Sequence, residues 1–161
     1  MTTATQELHK IFLYPANIAI AYKPTCISTL LGTCIAVCLW DTKSKIGGMN
    51  HYLLPLWNGE GLASPKYGNI AIQKLIEKME SMGAERKNLI AKVFGGKAFT
   101  DGNSIAYNIG VRNIYIAQEM LRDYNIAIKA SDVGGEFGRT IRFDTSNGTV
   151  MMKYIKGVKY Q

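Results

Sequence analysis

Two side chains in the first third of the chain could do covalent chemistry together. Cys34 follows Gly32-Thr33, and His51 lies a short way downstream. A thiol with a base beside it is the minimum apparatus for attack on a carbonyl carbon. Small residues around Cys34 leave room for a substrate carbonyl, and backbone N–H groups nearby could hold a developing oxyanion. A working histidine also needs a group that fixes its tautomer. Ser28 and Thr29, a few residues before Cys34, offer hydroxyls for that role. Asp41 stands at the wrong end of the intervening run.

The other candidates read as structural. Cys26 and Cys38 have the character of small apolar fillers, and Cys38 sits inside an apolar run. Three cysteines are an odd set without a Cys-x-x-Cys pair, so neither a disulfide framework nor a zinc site is expected. His9 reads as a surface residue. Gly95-Gly96 and Gly134-Gly135 do not fit a phosphate-binding fingerprint in its strand–helix setting, and read as turns or close backbone approaches. Arg112 and Arg139, each beside turn residues, could clamp a carboxylate, but a surface ion pair is the commoner fate.

These residues need elements to position them. Ile35–Trp40 is a continuous apolar run and predicts a strand buried on both faces. Asp41–Lys45 is turn-like, and Met49–Leu54 predicts a second strand. The pair reads as an antiparallel hairpin with Cys34 and His51 at the same end. A slip of one residue in that register would turn His51 to the opposite face. Short strands are predicted over Ile11–Tyr14 and Ile18–Tyr22. Trp57–Ala63 reads as a glycine-containing rim. Ser64-Pro65 signals a helix start, followed by apolar positions Ile72, Leu75, Ile76, Met79 and Met82, with Gly83 as the stop. Leu89–Phe94 predicts a strand. A second helix runs from about Gly110 to Tyr124, with Asn125 ending it. Ile126–Ala130 is a strand, and Thr140–Thr145 with Thr149–Ile155 form a hairpin about Asn147-Gly148. Hairpins at both ends predict a single compact α+β domain, with mixed or antiparallel sheets packed against two main helices. Residues 1–10 are expected to be a frayed terminus and 11–161 one domain.

The 161 residues have an ordinary charged fraction and nearly half are apolar, which excludes a disordered chain. No apolar run is long enough for a membrane span, and the N-terminus lacks a secretory pattern, so a cytoplasmic protein is expected. The formal net charge of +7 points to an acidic partner. The basic residues are scattered, with a local cluster at Lys153, Lys156 and Lys159. Without a basic stripe or interleaved aromatics, nucleic-acid binding is not expected.

Several segments, in order, carry a resemblance. Leu31–Val37 (Leu-Gly-Thr-Cys-Ile-Ala-Val) is followed by Ile46–Pro55, Ala91–Gly96, Ile109–Asn113, Asp132–Arg139 and Thr145–Thr149. Together they resemble the bacterial and archaeal CheD family, the chemoreceptor glutamine deamidases. The resemblance implies hydrolysis of selected glutamine side-chain amides on receptor cytoplasmic helices, giving glutamate and ammonia in chemotaxis adaptation. It extends in some members to receptor methyl esters. It places the nucleophile on Cys34 and the histidine on His51. The family's third residue is a threonine shortly before the cysteine, which falls on Ser28 or on Thr29. Where the family commonly has Gly-Ser-Cys, this chain has Gly-Thr-Cys. The resemblance implies no metal or organic cofactor. Its partners are the receptors and a CheC-type phosphatase. It leaves a second role open, that of a non-enzymatic regulatory module docking on those partners.

Overall fold

The structure is a computed structural model that describes residues 8–98 and 105–156. Residues 1–7, most of the stretch expected to fray, lie outside the described residues, as does Lys159. The elements are β1 (His9–Phe12), β2 (Ile18–Ala21), β3 (Thr25–Leu31), β4 (Ile35–Asp41), β5 (Gly47–Asn50), α1 (Gly68–Ser81), a 3₁₀ turn at Arg86–Asn88, β6 (Leu89–Gly95), α2 (Ile105–Asp123), β7 (Ala127–Val133), β8 (Gly138–Asp144) and β9 (Thr149–Ile155).

They form three layers. A four-stranded sheet of order β1-β3-β8-β9 packs on a five-stranded sheet of order β2-β5-β4-β6-β7, whose other face carries the two helices. Both sheets are mixed, because β1–β3 and β6–β7 pair in parallel and the rest antiparallel. The α+β architecture is the one the hairpins predicted, and the β4–β5 and β8–β9 hairpins are both present.

Strand β4 is central and explains its own composition. Ile35, Val37 and Leu39 face the helices, packing with Leu75, Ile76, Met79 and Leu121. Ala36 and Cys38 face the other sheet, packing with Ile27, Leu31, Ile141 and Phe143. A strand buried on both faces has no polar side to alternate with, hence the unbroken apolar run. Full burial of each such leucine or isoleucine stabilises the fold by roughly 1.5–3 kcal/mol. Trp40 closes the far end of the intersheet layer. Its Nε1–H donates to the Thr145 carbonyl at 2.8 Å, and its ring lies where a side chain on Gly148 would sit.

Several boundaries differ from expectation. β1 begins at His9, inside the stretch read as frayed, because its backbone pairs in parallel with β3. β3 itself was not predicted: its mixed Thr-Cys-Ile-Ser-Thr-Leu-Leu hides an alternation of buried Thr25, Ile27, Thr29 and Leu31 with outward Cys26, Ser28 and Leu30. Strand β5 stops at Asn50, although Tyr52 still bridges Ile35. Helix α1 starts at Gly68, not at Ser64-Pro65. The backbone just before it is engaged elsewhere: the Lys66 carbonyl accepts from Leu53 and Leu54 N–H, and Tyr67 caps the helix without a side-chain bond. Met82 follows the last turn as an exposed C-cap rather than extending the buried face. Helix α2 begins earlier than expected, at Ile105.

Candidate active site

The β4–β5 register decides what His51 can meet. Cys38 pairs with Met49 and Ile35 bridges Tyr52, which sets Ala36 opposite His51. Cys34 is the next residue along on the same face of the sheet. Such diagonal neighbours lie within reach of long side chains. That face looks toward the four-stranded sheet, so both residues sit in the seam between the sheets. His51 is buried, and Cys34 is half-buried at the mouth.

Strand β3 supplies the third group from the opposite wall. Thr29 points inward with Ile27 and Leu31, and its Oγ1 lies 2.8 Å from His51 Nδ1. The same hydroxyl donates to the Leu13 carbonyl at 2.7 Å. A hydroxyl has one hydrogen. With that hydrogen on Leu13, Thr29 accepts from His51, so the proton of the neutral ring is on Nδ1. Nε2 is then the bare base. It is buried and has no hydrogen-bond partner among the described residues, Cys34 included.

Ser28 is one residue away and on the other side of β3. Its hydroxyl faces the Ile11 carbonyl at 3.5 Å. The structure therefore brings Thr29 to His51 and leaves Ser28 outside the cluster.

Burial sets the resting protonation. It pushes the Cys34 thiol up, against a smaller opposing contribution from a hydrogen bond with its own backbone N–H. It pushes His51 down to about 4. Both directions favour a neutral thiol beside a neutral imidazole over a thiolate–imidazolium pair. Burial drives the Cys38 thiol up further, outweighing the opposing charge of Lys92.

The backbone around Cys34 is held by residues far away in the chain. The carbonyl of Gly32 accepts from Lys97 N–H at 2.9 Å, and that of Cys34 accepts from Gly96 N–H at 2.8 Å. Gly95 must be glycine: its φ is +109°, and a Cβ there would come within 2.2 Å of the Cys34 oxygen. Arg139 braces this turn from behind. Its guanidinium donates to the carbonyls of Gly95, Phe137 and Gly134, and its Nε pairs with Asp132 at 2.7 Å. Arg139 is thus buried, contrary to the surface pair expected for it, whereas Arg112 is exposed. Asp132 also accepts from the Tyr154 hydroxyl at 2.8 Å. The glycine pairs at 95–96 and 134–135 act together here, since Gly134 N–H donates to the Gly95 carbonyl.

Asn113 was not singled out by sequence reasoning. It is fully buried on α2 and reaches the loop before Cys34. Only its place in the Ile109–Asn113 segment marked it.

A family model described as CheD chemotactic sensory transduction matches residues 53–154. The chain belongs to the CheD family. The match starts just after His51, and whole-length relatives extend it over Cys34 and His51. A protein of Sulfurimonas denitrificans named probable chemoreceptor glutamine deamidase CheD is 48% identical over 157 residues, covering 96% of this chain and 99% of its own. One of the same name from Trichlorobacter lovleyi is 47% identical over 145 residues, 90% of each chain. One from the archaeon Archaeoglobus fulgidus is 38% identical over 128 residues, covering 79% of this chain and 82% of its own. The resemblance read from the ordered motifs is therefore borne out at the level of the family.

Proposed function

We propose that this CheD-family chain is a chemoreceptor glutamine deamidase, with Cys34 as nucleophile, His51 as base and Thr29 as the residue that orients His51. The observation that carries the reading is the fixed tautomer. Leu13 and Thr29 together leave Nε2 of a buried imidazole free to take a proton, on the face of the sheet that bears Cys34.

The reaction follows from those positions. Nε2 of His51 takes the thiol proton as Cys34 Sγ attacks the carboxamide carbon of a receptor glutamine. The C–S bond forms, and the carbonyl oxygen becomes an oxyanion facing backbone N–H groups beside Cys34. The C–N bond then breaks, and the imidazolium proton goes to the departing ammonia. Water adds to the thioester carbon with Nε2 again accepting its proton, the C–S bond breaks, and the imidazolium returns the proton to the sulfur, releasing glutamate and the free thiol. Thr29 stabilises the imidazolium by accepting from Nδ1–H throughout. Burial favours the neutral pair at rest, so the thiol must give up its proton to Nε2 for the sulfur to attack.

Receptor cytoplasmic helices fit the charge of +7 as an acidic partner surface. A CheC-type phosphatase as a second partner, and action in the cytoplasm, rest on the family resemblance alone. Among the described residues no helix is long and apolar enough to cross a membrane. The test is mass spectrometry of a receptor cytoplasmic fragment incubated with the protein. The expected result is a gain of about one dalton at individual glutamines, as amide becomes acid. Gain at the same rate with Cys34→Ala would overturn the assignment.

A further inference from the structure

The proposed chemistry needs a donor for the oxyanion, and one buried side chain reaches the peptide beside Cys34. Asn113 Nδ2 donates to the Thr33 carbonyl at 3.0 Å and to the Leu53 carbonyl at 2.9 Å. Both amide hydrogens are thereby used. Thr33 immediately precedes the nucleophile, and Leu53 follows the base by two residues. One buried side chain thus ties the two halves of the site together. The Asn113 carbonyl accepts the Tyr52 hydroxyl at 2.6 Å, which anchors the helix at that point to the residue after His51.

The bond to Thr33 matters because of peptide geometry. The Thr33 carbonyl and the Cys34 N–H belong to one planar trans unit and point in opposite directions. Fixing the carbonyl toward α2 fixes the N–H away from it. Among the described residues neither Thr33 nor Cys34 N–H donates to a backbone carbonyl. Gly110, one turn before Asn113 on the same helix face, makes the reach feasible. A Cβ there would lie 2.2 Å from the Lys97 oxygen, so only glycine lets α2 come this close.

We infer that Asn113 is a positioning residue for the oxyanion site: its amide holds the Thr33–Cys34 peptide so that the Cys34 N–H faces the developing charge. This rests on the deamidase reading above.

The test is Asn113→Asp, which keeps the shape but replaces the donor. Deamidation of a receptor fragment and alkylation of Cys34 by iodoacetamide at alkaline pH are measured side by side. Alkylation is a displacement at an sp³ carbon and uses no oxyanion donor. The expected result is a fall in kcat of about tenfold to a hundredfold with KM nearly unchanged, and alkylation within about twofold of wild type. Deamidation within about threefold of wild type, or alkylation falling in step with it, overturns the inference. A readout in the wild-type protein removes dependence on the variant's folding. A receptor peptide carrying an aldehyde in place of the glutamine amide would add to the thiol and form an oxyanion equivalent. The Cys34 amide proton should move downfield in the NMR spectrum, and an unmoved resonance overturns the inference. Wild-type protein that leaves every receptor glutamine intact would instead end the deamidase reading itself.

Discussion

The two ends of β4 each bury an ionisable group, and they treat it in opposite ways. At the far end, Asp41 accepts from the N–H groups of Lys43, Ser44 and Glu85, all at 2.8–2.9 Å. Burial alone would raise its pKa, but these donors outweigh it and hold the carboxylate below its usual range. At the near end, burial raises the Cys34 thiol and lowers His51, and Nε2 has no partner among the described residues. One end satisfies its charge and so ties the β4–β5 turn to the loop before β6. The other leaves a buried imidazole nitrogen unsatisfied, which costs stability. Carboxylate chemistry at Asp41 is therefore not expected, despite its burial.

The contrast breaks most sharply with substitution at the Cys34–His51 end. Cys34→Ala and His51→Gln should each cut receptor deamidation at least about a thousandfold in a mass-spectrometric assay, with little loss of stability. If either variant retains a tenth of the activity, the near end is not a catalytic pair.

His51 also predicts a pH dependence of stability. Its folded pKa lies at about 4, below the ordinary 6.5. Between those values the unfolded chain binds the proton and the folded chain does not. Stability is therefore fully present above about 6.5 and falls as pH drops toward 4, by at most about 3 kcal/mol. Urea titrations across that range should show the slope in wild type, and His51→Gln should lose most of it.

Thr29 sharpens the picture further. Thr29→Val removes the acceptor for Nδ1–H while keeping the volume, and should lower kcat by about tenfold to a hundredfold, with Thr29→Ser restoring most of it. Ser28→Ala should leave kcat within about twofold, because its hydroxyl is on the opposite face of β3. Equal effects at 28 and 29 would contradict the tautomer argument.

The smallest effect belongs to the far end. Asp41→Asn should destabilise the fold by about 1–2 kcal/mol in denaturant titrations, through weakened charge-assisted hydrogen bonds, with kcat unchanged.

The pair Cys34 and His51 was legible because a hairpin of adjacent strands brings them together, and an apolar run with a turn announces a hairpin. Choosing between Ser28 and Thr29 was not possible without β3. A strand reading of residues 25–31 with Ile27 and Leu31 inward would have turned Thr29 inward by parity, but the outward cysteine, serine and leucine blur that period. Asn113 and Arg139 were harder still. They act on backbone carbonyls of distant segments, and a carbonyl carries no residue identity for a sequence to display. The early start of β1 was hidden for a similar reason: its partner is β3, so its order comes from a ladder formed elsewhere.

The seam between the sheets has a consequence for timing. Cys34 and His51 come from one sheet and Thr29 from the other, whose strand β3 is flanked by β1 and β8. Thr29, Cys34 and His51 all precede β8 in the chain, and β3 has no second neighbour until Gly138–Asp144 has been made. Until that strand pairs, the wall that holds Thr29 against His51 is incomplete. Completion of the proposed site therefore waits on the β8–β9 hairpin, and a chain lacking it would hold Thr29 on a strand with one neighbour.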